Sequence, residues 1–236
     1  VLSRRLEIKA QVLGLLTSQM EWDKDVLPAL LALPPGKSVN ALFANLCHVD
    51  ELVKWRAVTA MGAVTAKLAR ADMEAGRVVM RRLMWMLNDE SGGIGWGAPE
   101  AMAEIMSRDA ELAAEYAHMP VSYMRSEGSF LEYPLLQRGL LWAIARLAEA
   151  RPELMRQSEA ANYVEPYLDG ADPWVRGMAA RAIGRLGVER ARQQLLRLMK
   201  DTAMFTCYIH PLLRTMQVGE AAAEAVRGLA GPVRVN

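Results

Sequence analysis

Histidine, cysteine and aromatic residues are scarce in this chain, and each shortage closes off a class of chemistry. The three histidines, His48, His118 and His210, lie far apart and form no i,i+4 ligand pair. Neither of the two cysteines, Cys47 and Cys207, has a CxxC partner, so a zinc site has no support and no metal is expected. Two cysteines make no disulfide framework either, and a reducing cytoplasm is the expected location. No serine stands in a GxSxG setting, which leaves a hydrolase triad without its elbow. Aromatics make up only 6% of the 236 residues while Ala, Leu, Met and Arg recur, a balance that favours helix over strand. No apolar run approaches the roughly 18 residues a spanning helix needs, so no membrane partner is expected. The opening VLSRRLEIKA carries neither an apolar signal core nor an initiator Met, and residues lost upstream are expected. An excess of charge of one sign is missing as well: 28 basic residues face 27 acidic ones.

What the chain does have is helical periodicity from end to end, in a composition 52% hydrophobic and 23% charged. No stretch alternates convincingly as a strand. Breaks fall at Leu33-Pro34-Pro35-Gly36, Asn88 to Gly95, Glu127-Gly128, Asp169 to Pro173 and Val218-Gly219. That spacing predicts helix pairs, and internal repetition confirms the rhythm. The segment Asp172 to Gly187, anchored on Ala179, recurs with anchors at Leu140, Ala98 and Ala57, at intervals of 39, 42 and 41 residues. Three residues after each anchor stands Ala182, Ala143, Ala101 or Ala60, and one further on Ile183, Ile144, Met102 or Met61. The next position is always small: Gly184, Ala145, Ala103, Gly62. Leu186, Leu147, Ile105 and Val64 follow at seven, and Val175, Leu136, Ile94 and Val53 precede at four. These offsets share one helical face, the stripe a helix buries, and the small residues let a neighbouring helix come close. One helix pair cannot bury its stripe alone, so stacked pairs must share a continuous core.

This pattern resembles the HEAT repeat family, including its shorter variant named after phycobilisome lyases. The nearest match is Asp172 to Asp201, VRGMAARAIGRLG followed by a Leu-rich helix ending in Asp. The resemblance implies an all-α fold, a right-handed α-solenoid of stacked HEAT-like helix pairs in a single domain over 1–236. An N-terminal helical cap is expected over 1–49, four repeats over 50–200 and an irregular C-terminal repeat over 201–236. HEAT arrays serve many tasks, so the class implies a protein or peptide partner along the curved face and little more.

Charge is uneven along the array: residues 1–86 carry +4, 87–171 carry −8 and 172–236 carry +5. An acidic middle between basic ends is not the uniformly basic stripe that nucleic-acid binding leaves, so nucleic acid is the lesser partner expectation. Gly93-Ile94-Gly95-Trp96-Gly97-Ala98 formally fits the GxGxxA dinucleotide loop. That loop needs a preceding buried strand, whereas Met80 to Leu87 reads as the end of a helix. The glycines read better as a helix break where the backbone turns close to its neighbours. No cofactor is expected.

Two positions per repeat, two residues either side of the anchor, share a face roughly opposite the core stripe. They hold Trp55 and Thr59, Trp96 and Glu100, Arg138 and Trp142, Gly177 and Arg181. Large aromatics beside charges on such a face point to a ligand or partner surface formed by Trp55, Trp96, Glu100, Arg138, Trp142 and Arg181. The alternative is that they pack between neighbouring helices, with Glu100 paired to Arg138. Tyr133 and Trp174, each just before a repeat, extend the surface or act as buried anchors.

The stretch from Gly93 to Ala148 is also similar to the central part of HEAT-like DNA alkylation-repair glycosylases. Those enzymes place a Trp and an Asp four residues apart, then an Arg in an LQR-type segment. Trp96, Glu100 and Arg138 of Leu136-Gln137-Arg138 match these positions. The resemblance implies that Glu100 stabilises charge as the glycosidic bond of a cationic alkylated base breaks, with Trp96 on the sugar and Arg138 on the DNA. Two departures stand against it: Glu replaces Asp, and Arg181 stands where the family has a second aromatic. The preferred expectation is a non-enzymatic interaction protein without catalytic residues; the glycosylase, with Glu100 as its carboxylate, is the alternative.

Overall fold

Long helices begin where the sequence supplies a cap. A computed structural model describes residues 2–88 and 95–229, with side chains from residue 6 onward. In helix α4 (Glu51–Ala71) the Asp50 carboxylate accepts the backbone N–H groups of Leu52 and Val53 at 2.9 and 3.2 Å, satisfying donors that the first turn leaves open. Helix α12 (Pro173–Leu186) repeats the device: Asp172 caps Trp174 N–H at 3.0 Å, Pro173 supplies the first turn, and Gly187 closes the end at φ +70°. Asp50 and Asp172 both stand seven residues before their anchors.

The described contacts group into two units, Val1–Glu115 and Tyr116–Asn236. In the first, α1 (Leu2–Leu16), a short π-helical turn (Trp22–Val26) running into α2 (Leu27–Ala32), and α3 (Pro35–Phe43) pack beside α4. Arg56 of α4 ties them down by donating to the carbonyls of Leu16 and Ser18 at 2.9 and 2.7 Å. Helix α4 continues into α5 (Met73–Asn88), and both pack on α6 (Ala98–Arg108), which α7 (Ala110–Tyr116) follows. Gly97 enters α6 at φ +73°, and a Cβ there would lie 2.7 Å from the Leu46 carbonyl oxygen, so the break needs glycine on both counts. Gly93 and Ile94, the front of the formal dinucleotide loop, lie outside the described residues.

The second unit runs through α8 (Met119–Ser122), α9 (Pro134–Ala150), α10 (Pro152–Gln157), α11 (Ala160–Val164), α12 and α13 (Arg192–Leu198) to α14 (Val218–Leu229). Helix α12 packs between α9 and α14. The predicted stripe is the core: every anchor, and every residue three and four after it, is fully buried. Of the residues four before, Val53 and Val175 are buried, Leu136 is half-buried, and Ile94 lies outside the described residues. The small positions also act as predicted. A Cβ on Gly62 would sit 2.7 Å from Glu104 Cβ across α4–α6, and one on Gly184 would sit 2.6 Å from Ala225 Cβ across α12–α14.

One expectation is corrected. Residues 204–217 are not helical but form an antiparallel hairpin, β1 (Met204–Ile209) with β2 (Leu212–Gln217), in register Ile209 to Leu212 across the two-residue turn His210-Pro211. Phe205, Cys207 and Tyr208 are buried, and the aromatic and β-branched residues of β1 suit a strand laid on helices. Of the predicted irregular repeat over 201–236, the described part, to residue 229, holds a hairpin followed by α14. No single described helix is long and apolar enough to cross a membrane.

Candidate functional site

The row of aromatics and charges can be followed within each unit. In the first, Trp55 is only 4% exposed, and its indole N–H donates to Glu51 Oε2 at 3.1 Å, one turn back on α4. Lys54 places its ammonium 5.3 Å from the Trp55 ring centroid and 4.0 Å from Glu51. Thr59 is buried and Trp96 half-buried. Glu100, in the first turn of α6, is 5% exposed, and its Oε2 has no hydrogen-bond partner among the described residues. Burial pushes its carboxyl pKa up; the Lys54 charge opposes the rise and Glu51 adds to it. The arrangement is a lysine beside two carboxylates, one solvated and one buried.

In the second unit, Arg138 donates to Asp172 Oδ2 at 2.6 Å, and its guanidinium lies 5.8 Å from the Trp174 ring. The Asp172 carboxylate therefore caps α12 with one oxygen and holds Arg138 with the other. Trp142 is 5% exposed and donates its indole N–H to the Tyr208 carbonyl at 3.0 Å, while Trp174 donates to Thr206 at 2.9 Å. At Gly177 an added Cβ would fall 2.3 Å from the Phe205 ring. The chain's own hairpin thus lies over this part of the row, filling the space that the glycine leaves. Arg181 turns instead to Glu224 of α14, at 3.0 Å. Tyr133 stays exposed.

The structure therefore buries Trp55, Glu100 and Trp142 and leaves Trp96, Arg138 and Arg181 half-buried, with Arg138 in an ion pair to Asp172. It also displays residues the row did not include. Trp85 is 71% exposed on α5, on the same face as exposed Val78, Arg81 and Arg82. An aromatic on the charged side of a helix was the available signal. Arg146 and Arg185, each six residues after its anchor, form a second repeated position, and both approach Glu149, at 3.8 and 3.3 Å. Among the described residues no cluster of His, Cys, Asp or Glu is arranged to hold a metal ion.

No known family's sequence profile matches the chain. An uncharacterised protein of Archaeoglobus fulgidus is 28% identical over 117 residues, half of this chain and 55% of that protein, so the likeness spans about half the length of each. An engineered protein superposes with a TM-score of 0.55 at 18% identity, over 95% of this chain and 96% of its own. A designed armadillo repeat protein does so at 0.52 and 19%, over 93% and 98%. The fold is a helical-repeat solenoid. Another designed armadillo protein of this fold, at 0.50 and 18% over 93% and 98%, was solved with a (KR)4 peptide.

Proposed function

We propose that this chain is a non-enzymatic, HEAT-type helical-repeat protein that holds a protein or peptide segment along its helix array, in a reducing cytoplasm. The observation carrying the reading is the nearly full-length likeness to designed armadillo proteins, one of which was solved with a bound peptide. Helix arrays of this kind bind through surfaces lined by many adjacent side chains, and this chain exposes aromatic, apolar and arginine side chains on such surfaces.

The alkylated-base glycosylase is the second reading, because Glu100 is a buried carboxyl with an unpartnered oxygen four residues after Trp96. That chemistry needs the ionised form, able to reach a sugar, and burial favours the neutral form of Glu100. Selection from a displayed random-peptide library separates the two. Enriched peptides sharing a motif and competing with one another are expected. The reading is overturned if no motif emerges while duplex DNA carrying an abasic-site analogue binds in preference to undamaged DNA and that preference is lost in Glu100→Gln.

A further inference from the structure

We propose that the groove between α2 and the C-terminal half of α4 seats a peptide segment carrying apolar side chains beside carboxylates, with Lys67 and Arg70 holding the carboxylates. This deepens the peptide-binding reading and rests on it. The groove has a volume of about 340 Å³ and lies wholly within the first unit. Ala63, Ala66, Lys67 and Arg70 follow one another at helical spacing, so one face of α4 meets it, apolar first and cationic toward the helix end. Leu27 and Leu31, one turn apart, line it from α2, and Arg108, the last residue of α6, lines it too. Both leucines are half-buried while Lys67 and Arg70 are exposed, so apolar and cationic groups are offered together on an open surface.

The cations exceed their counter-charge. Lys67 donates to the Leu31 carbonyl at 2.7 Å, a neutral partner. Among the described residues, Arg108 alone of the three cations forms an ion pair, to Glu104 at 3.2 Å. Arg70 and Arg108 stand in the last turns of α4 and α6, where open carbonyls favour a cation. A helix end supplies only about half a negative charge, so one carboxylate and two helix ends, about two negative charges, face three cations. Arg70 makes no hydrogen bond or ion pair among the described residues, so its guanidinium can take both oxygens of an incoming carboxylate without breaking a contact. Lys67, fixed beside Leu31, keeps its remaining donors for the same anion. The shape favours a peptide over a small free molecule. Small-ligand sites enclose about 70–90% of their ligand, which an open groove cannot do. A peptide need seat only a side chain or two here, with the rest of its chain on neighbouring helices. A nucleic-acid backbone would use the cations and bring nothing to Leu27 and Leu31.

Fluorescence anisotropy on the full chain tests this with labelled (Leu-Glu)4, (Leu-Gln)4 and (Ala-Glu)4 peptides and a short labelled DNA duplex. Binding of (Leu-Glu)4 is expected to be about tenfold tighter than that of (Leu-Gln)4 and at least about threefold tighter than that of (Ala-Glu)4. Raising salt from about 25 to about 200 mM should weaken (Leu-Glu)4 and leave (Leu-Gln)4 unchanged. Arg70→Gln should weaken (Leu-Glu)4 about fivefold without affecting (Leu-Gln)4. Leu27→Ser should weaken (Leu-Glu)4 about threefold without affecting (Ala-Glu)4. The unaffected peptide in each variant, with far-UV circular dichroism, separates these losses from unfolding. Equal binding of (Leu-Glu)4 and (Ala-Glu)4, or no response to Arg70→Gln, overturns the groove while the peptide-binding reading stands. Duplex binding tighter than any peptide and lost in Arg70→Gln assigns the cations to nucleic acid and overturns it as well. If no peptide binds, the groove falls and the library selection decides the wider reading.

Discussion

Glu100 is where local chemistry departs most from an ordinary helix surface. A carboxyl whose folded pKa is raised adds stability that is fully present below its unfolded value, about 4.3, and lost as pH rises through the folded pKa. Glu100→Gln should therefore be more stable than the parent at pH 7, and the gap should close as the solution is acidified toward pH 4. Thermal melts across that range measure it; an equal gap at both ends would mean that Glu100 is not paying for ionisation. Gly62 tests the opposite property, size. An added methyl there meets Glu104 Cβ at 2.7 Å and its backbone carbon and oxygen at 2.8 Å, contacts that cannot swing aside. Alanine is the better helix former by about 1 kcal/mol, but overpacking costs about 1–3. Gly62→Ala is thus expected to lower stability by about 1–2 kcal/mol, read from a urea midpoint with unchanged slope.

At the scale of elements, the hairpin is the piece that fastens α9 and α12 together through β1. Phe205 is buried against Gly177, and Trp142 and Trp174 each give an indole N–H to a β1 carbonyl. Truncating Phe205→Ala should cost about 3–5 kcal/mol, and Trp142→Phe about 1–3, the cost of a buried carbonyl left unpaired. Chemical denaturation of each variant checks both. This element also marks the limit of what the sequence discloses. The buried stripe of α4, α6, α9 and α12 was legible because a helix writes its core at fixed offsets and the repeat writes it again in each copy. The strands had a signal too, Phe205-Thr206-Cys207-Tyr208-Ile209 before His210-Pro211, but the echo of Gly187-Val188-Glu189 in Val218-Gly219-Glu220 carried the repeat frame across it. The row of Trp55, Glu100 and Trp142 was legible as a shared position and not as a surface. A helix flanked on both sides and covered by a third element buries the side opposite its core stripe as well, and one helix's periodicity does not contain those neighbours.

At the scale of the whole chain, the fold makes a statement about cooperativity. Helical-repeat stability is close to a sum of local terms and nearest-neighbour contacts. Within its own unit, helix α12 packs on α9, α14 and β1. Damage to the hairpin should then be felt by its neighbours alone. In Phe205→Ala, amide hydrogen exchange is expected to speed up by about tenfold or more in β1, β2, α12 and α14, while α4 and α6 keep the parent rates. Mass-spectrometric exchange on the full chain reads both regions in one experiment. If α4 and α6 lost protection by the same factor, opening would be global and the chain would unfold as one body. The nearest-neighbour account would then be wrong for this protein, whereas a confined response would make the hairpin a local clamp on one stretch of the array.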